Sequence, residues 1–273
     1  MKFPKDLKKP KHTSNSQLSS FRISPQHWLQ YLKDREKETK SPAAILGGLV
    51  HTMALQKEKL EKEYFLLDFA NKPHPDKNFV NFDNRDWKKA EIEAAGKKTV
   101  VDSDMMETAE HMVGALYADD VARELFQQGE VFEKPIQWKI FGLNCYGIED
   151  ISSPDFVAEL KTTRNADPWA FQRDLFKLGY YRQGGMYLDG EMKGEMVGDP
   201  HKRFYFIAVE NTEPYGVSVH ELEEEVITFG VSEYRRLAQN LKDCITSNWF
   251  PSYQYRIINN SFDVFLPNYM QEV

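Results

Sequence analysis

Cysteine is scarce in this chain, with Cys145 and Cys244 the only two in 273 residues. With no CxxC pair and no Cys/His cluster at zinc spacing, a reducing cytoplasm and no structural zinc are expected. Long apolar runs are missing too. No stretch of about 18 apolar residues occurs, so no helical membrane span is expected, and the basic start MKFPKDLKKPKH lacks the apolar segment of a secretory signal. Positive charge is not in surplus either. A formal net charge of −7 argues against a protein that coats DNA by bulk electrostatics. It leaves open an enzyme whose clustered carboxylates hold metal ions beside a locally basic groove. Repeats and low-complexity tracts are absent.

What the chain has is 41% hydrophobic residues, enough for one large domain or two small ones. A solvated basic tail is expected at residues 1–13, followed by a single domain over 14–273. Two short helices come first, the second opened by Ser24-Pro25 as cap and first turn. A longer helix is expected from Pro42 to about Tyr64, with Leu46, Leu49, Val50, Met53 and Leu60 on its apolar side. Residues 68–98 are polar and broken by prolines, and predict a long functional loop with a short helix. Another helix follows from about Ser103 to Gln127. Strands then take over at 131–141, 144–151 and 156–162, with helices at 168–177 and 180–188. Two more strands, at 204–210 and 216–222, precede a last helix carrying Tyr234, Leu237, Leu241 and Ile245 at helical spacing. This order predicts an α/β fold with a central mixed sheet, flanked by helices, after a helical N-terminal part.

The densest chemistry lies in GIEDISSPDFVAELKTT, residues 147–163. Ser152-Ser153-Pro154-Asp155 is a run of turn formers between two strands, which puts Asp155 at a hairpin tip. Glu159, four residues further along an extended strand, is then about 13 Å away at roughly 3.3 Å per residue. That is too far for the two carboxylates to share one ion. Asp150, before the turn, can approach Glu159 across the ladder, and alternation sets Glu159 and Lys161 on one face. Asp150, Glu159 and Lys161 are therefore the candidate constellation, with Asp155 a decoy. Two carboxylates can hold one or two Mg²⁺ ions that polarise a phosphate and acidify a bound water, and a lysine ammonium can orient that water. A solvated hairpin of alternating charge fits the same local pattern.

The segments AILGGLVHTMAL, CYGIED, VAELKTT, LGYYRQGGMYLDG and NWFPSY, taken in order, resemble phage and prophage exonucleases of the RecE (exodeoxyribonuclease VIII) type, in the PD-(D/E)xK nuclease superfamily. The resemblance runs from about Ser14 to Tyr253. It implies that His51, in the family's Gly-x-x-x-His segment, is a metal ligand, and that Asp150 is the strand aspartate. Ile148 and Glu149 stand where relatives carry Arg and Pro, and Glu149 is expected on the opposite face. The same resemblance places the Asp/Glu-x-Lys pair on Glu159 and Lys161, adds the Leu160 main-chain carbonyl as a ligand, and gives Gln183 and Tyr187 an orienting or phosphate-contacting role. Glu133, ahead of Trp138, matches an acidic position of the family; a surface glutamate and a metal-site residue both fit it. Trp138, Trp169 and Trp249 are expected in the core rather than as base-stacking platforms.

The leading expectation is a Mg²⁺-dependent exodeoxyribonuclease, with Mn²⁺ as an alternative ion, that resects ends of double-stranded DNA. From the resemblance come 5′ to 3′ polarity, a homo-oligomeric ring of three or four copies, and a RecT-like single-strand annealing partner. A structure-specific or Cas4-like endonuclease is one rival, though two isolated cysteines cannot ligate an iron–sulfur cluster. A catalytically silent DNA-binding or assembly module is the other.

Overall fold

In the computed structural model, which describes residues 1–4, 7–35, 40–74, 77–78, 82–198 and 200–253, helices come first. They are α1 (Asn15–Ile23), α2 (Pro25–Arg35), α3 (Pro42–Leu55) and a single turn, α4 (Leu60–Glu63). Strands β1 (Tyr64–Leu67) and β2 (Thr99–Asp102) bracket α5 (Phe82–Ala95), and α6 (Ser103–Ala118) and α7 (Asp120–Gln128) follow. The second half runs β3 (Val131–Ile140), β4 (Leu143–Ser152), β5 (Phe156–Thr163), α8 (Pro168–Leu178), α9 (Tyr180–Glu191), β6 (Arg203–Glu210), β7 (Val217–Glu221) and α10 (Glu224–Ser247).

Local chemistry sets the turns. Phe141 and Gly142, both at positive φ, reverse β3 into β4. The Ser153 hydroxyl accepts from the N–H groups of Asp155 and Phe156, closing the β4–β5 turn. Asp167 caps α8 by accepting from Trp169 and Ala170, with Pro168 in the first turn, and Gly179 at φ 75° ends the helix. The five-stranded sheet has the order β3-β4-β5-β6-β7. Only β5 and β6 pair in parallel, and α8 and α9 form the crossover that a parallel pair requires.

Alternation along β5 divides the core between the two faces of the sheet. Val157 packs in a cluster with residues of α1, α2, α8, α9 and α10, whereas Phe156, Ala158 and Leu160 pack with α3, α6 and α7. Helices α9 and α10 touch backbone to backbone. A Cβ on Gly185 would lie 2.4 Å from the Val231 nitrogen, so only glycine allows this crossing.

The outer hairpin breaks the alternation. Period two would put Phe132 and Ile136 on one face, and Cys145 and Ile151 likewise. Yet Ile136 and Cys145 lie in the first cluster, while Phe132 and Ile151 belong to the second. The ribbon turns over at Glu133 and Asp150, and Glu133 takes a φ of 53° to do so. On the other side, β4 and β5 pair only at Ile151–Ala158 and Ser152–Val157 before diverging.

Four expectations need correction. The helix expected from Pro42 to about Tyr64 ends at Leu55, because Gln56 leaves helical geometry, and Leu60 falls in the separate turn α4. The basic start is docked rather than solvated: Leu7 and Thr13 are buried, Phe3 packs on Trp28 and Phe250, and Thr13 exchanges backbone hydrogen bonds with Asn144 and Tyr146 of β4. Residues 68–98 are not a long loop, since α5 spans fourteen of them and the strands on either side pair in parallel. The helix expected from Ser103 to Gln127 is two helices, because Asp119 leaves helical geometry and caps α7 through the Ala122 N–H. Residues 254–273 of the expected domain lie outside the described residues.

Candidate active site

The divergence of β4 from β5 opens a gap in the ladder, and Asp150 and Glu159 fill it. Leu160 N–H donates to Asp150 Oδ2 at 2.7 Å, and Asp150 N–H donates to Glu159 Oε1 at 3.3 Å. Lys161 Nζ donates to Glu159 Oε2 at 2.8 Å, and Gln183 Nε2, from α9, donates to the same oxygen at 2.6 Å. Both carboxylates are buried. Tyr187, one turn beyond Gln183, lays its ring on Gly147, where a Cβ would stand 2.5 Å from it.

From the other face, α3 brings His51. Its Nδ1 lies 3.6 Å from Asp150 Oδ2 and 3.8 Å from Glu133 Oε1. Ligand atoms of His51, Glu133 and Asp150 all fall within 4.8 Å of one another. One imidazole nitrogen and two carboxylates at such separations suit a divalent ion, whose bonds to its ligands are about 2.0–2.6 Å long. Glu159 stands outside this trio, its oxygens taken by Asp150 N–H, Lys161 and Gln183. Glu133, which the sequence left open between surface and site, is at the site.

Burial and then the Asp150 charge push the Glu159 carboxyl up to about 7, against the pull of Lys161. Burial works against a charged Lys161, but Glu159 and Asp150 outweigh it and raise its pKa, so the ammonium persists. For His51, burial favours the neutral ring, and Asp150 with Glu133 more than offsets this, raising the pKa. An arriving cation would replace the proton that these carboxylates attract.

The neighbours divide cleanly. Glu149 faces away from His51 and pairs with Lys134 at 3.3 Å, and that lysine also binds Glu191 at 2.5 Å. Asp155 sits in the exposed bend before β5, apart from the constellation. Sequence reasoning missed Tyr180 and Phe206, whose ring centroids lie 5.3 and 5.6 Å from Lys161 Nζ. The inward alternation of β6 could have pointed to Phe206; nothing in the sequence singles out Tyr180. The tryptophans need a correction as well. Trp138 is buried, but Trp169 is 75% and Trp249 58% exposed. The Asp167 cap fixes the phase of α8 so that Phe171 and Leu175 face inward and Trp169 outward.

Residues 14–257 match the family model described as a PDDEXK-like domain of unknown function (DUF3799). No curated protein sequence matches the chain. Among solved structures, a Eubacterium rectale protein described as a candidate exonuclease superposes with a TM-score of 0.62 at 12% identity, over 94% of this chain and 93% of that one. At that identity the likeness speaks for the fold alone, a mixed sheet flanked by helices as in PD-(D/E)xK nucleases. LHK-Exo in complex with dAMP (15% identity, 61% of this chain and 84% of that one, TM-score 0.31) and SSO0001 (17%, 76% and 89%, 0.29) overlap too loosely to carry an argument.

Proposed function

The chain belongs to the family of PDDEXK-like domains of unknown function (DUF3799), and from that membership we propose that it is a metal-dependent exodeoxyribonuclease acting on duplex DNA ends. The observation that carries the reading is the interlock of Asp150 and Glu159 with Lys161 2.8 Å from the Glu159 carboxylate and His51 on the far side of Asp150. A buried ionic group of this kind costs stability, and such groups cluster at functional sites.

His51, Glu133 and Asp150 would hold the ion, with the Leu160 carbonyl as a further proposed ligand. Mg²⁺ suits the carboxylates and Mn²⁺ also suits the imidazole. When bound, the ion polarises a phosphate oxygen and acidifies a water. The Lys161 ammonium orients the attacking water and stabilises the charge that develops on the phosphate. Gln183 fixes the Glu159 carboxylate by donating to Oε2, the oxygen that also accepts from Lys161. Tyr187, closed over Gly147, shapes the wall against which the strand lies.

The 5′ to 3′ direction, a ring of three or four copies, a RecT-like annealing partner and a cytoplasmic role in recombination are proposed from the RecE-type resemblance alone. Digestion of an end-labelled linear duplex with and without Mg²⁺, followed over time on a sequencing gel, tests the core of the reading. Stepwise shortening that needs the metal is expected. Internal cuts would make the protein an endonuclease, and an intact substrate would defeat the nuclease reading.

A further inference from the structure

Among the described residues, Trp169 is the most exposed tryptophan, at 75%, and it is held on a rigid mount. Seven residues separate it from Lys161. The path is tied at four points: Asn165 N–H to Thr163 Oγ1, Ala166 N–H to the Glu210 carboxylate at 2.9 Å, Asp167 N–H to Asn165 Oδ1 at 2.7 Å, and the Asp167 cap on Trp169 itself. An exposed indole normally costs hydration without return, and a stiff mount keeps it from folding back onto the protein.

The mount also fixes where the indole stands. Phe171, two residues on, packs 5.9 Å from the ring of Tyr180 and 6.4 Å from that of Phe206. Those two rings are the ones that flank the Lys161 ammonium. Helix α8 is thus docked one aromatic layer from the catalytic strand. On the opposite face α3 closes on the same strand, with a Cβ at Gly47 falling 3.3 Å from Thr162 Oγ1. The end of β5 therefore emerges between α3 and α8, the helix whose first turn carries Trp169.

Charge around the indole is mixed: the Asp167 and Glu210 carboxylates are bound into the mount as backbone acceptors, and two guanidinium groups stand beside them. Arg173 lies one helical turn after Trp169 on the same face, and Arg164 lies in the loop before it. Both are exposed, and among the described residues neither has an ion-pair partner. On a chain of net charge −7, two free guanidinium groups around an exposed indole match a strand of bases and phosphates, stacking for one and charge for the other.

Resting on the nuclease reading above, we propose that Trp169 is a stacking platform for an unpaired base of the DNA strand at the mouth of the site, with Arg164 and Arg173 on the adjacent phosphates. A paired base inside a duplex has both faces covered, so the platform selects frayed ends and single-stranded overhangs.

The test uses a fluorescein-labelled single-stranded oligothymidylate, titrated by anisotropy in EDTA so that nothing is cleaved. Base-on-indole stacking corresponds to roughly tenfold or more in affinity. Trp169→Ala is expected to weaken binding by about that factor and Trp169→Phe to restore most of it, whereas Trp249→Ala, at the other strongly exposed tryptophan, leaves it unchanged. Arg173→Gln should weaken binding and flatten its salt dependence. Unchanged affinity in folded Trp169→Ala overturns the proposal while Mg²⁺-dependent cleavage of duplex ends still supports the nuclease. If that variant instead binds normally but loses mass by light scattering, the face joins copies of the chain and the proposal is wrong. Failure of the wild-type protein both to bind the oligonucleotide and to cut duplex removes both readings.

Discussion

Asp150 and Glu159 hold each other across the gap between β4 and β5: each carboxylate accepts a backbone N–H from the other's strand, at 3.3 Å into Glu159 and 2.7 Å into Asp150. The two acids are thus fixed by the main chain rather than by solvent. Their like charges stay close because Lys161 lies 2.8 Å from Glu159.

Asp150→Asn keeps an oxygen for the Leu160 N–H but removes the charge that faces His51 and Glu133. Its folding should be near normal, with DNA cleavage down by about 10²-fold or more. Asp155→Asn, in the exposed bend, should change neither. Initial rates on end-labelled duplex and calorimetric metal titration of both variants decide it; metal binding lost in Asp155→Asn and kept in Asp150→Asn would reverse the assignment.

His51→Ala removes a neutral ligand and leaves two carboxylates. The expected result is a metal requirement raised by roughly tenfold or more, with turnover recovered at saturating metal. Rates measured across a Mg²⁺ series report it. An unaltered midpoint would make His51 a packed histidine.

Arg182 is fully buried and held by Glu233, Asn15 and Ser19, while Tyr181 donates its hydroxyl to the same Glu233. Glu233→Ala strands a guanidinium without its counter-charge, and a loss of roughly 3–5 kcal/mol is expected. Urea unfolding gives the value; a loss below about 1 kcal/mol would mean that Asn15 and Ser19 suffice.

Gly185→Ala forces a methyl group into the α10 backbone and should cost about 1–3 kcal/mol or prevent folding. Gly114→Ala, in α6 with nothing within 4 Å of the added carbon, should instead be neutral or stabilise by up to about 1 kcal/mol. Thermal melts of the pair separate crowding from intrinsic helix preference.

The strands of the main sheet were readable because each announces itself by period two and turn residues, and the observed β3 to β7 match the expected spans within about a residue or two. The placement of Asp150, and not Asp155, against Glu159 was readable because rise per residue alone sets Asp155 too far away. Strands β1 and β2 were not, since four residues are too few to show a period and their partner is 35 residues away in parallel. The turnover at Glu133 was hidden as well. Nothing in VFEKPIQW reports a left-handed backbone, and that reversal is what brings Glu133 onto His51. Trp169 was misjudged because composition favours burial of tryptophan, while the phase of α8 is set by a cap two residues before it.

Glu133 holds its left-handed backbone at a cost of the order of 1–3 kcal/mol for a residue with a side chain. Glycine would adopt the same angle freely. Selection for heat resistance alone would thus favour shedding this carboxylate, and selection for metal binding would favour keeping it. A single dihedral angle sets the two pressures against each other.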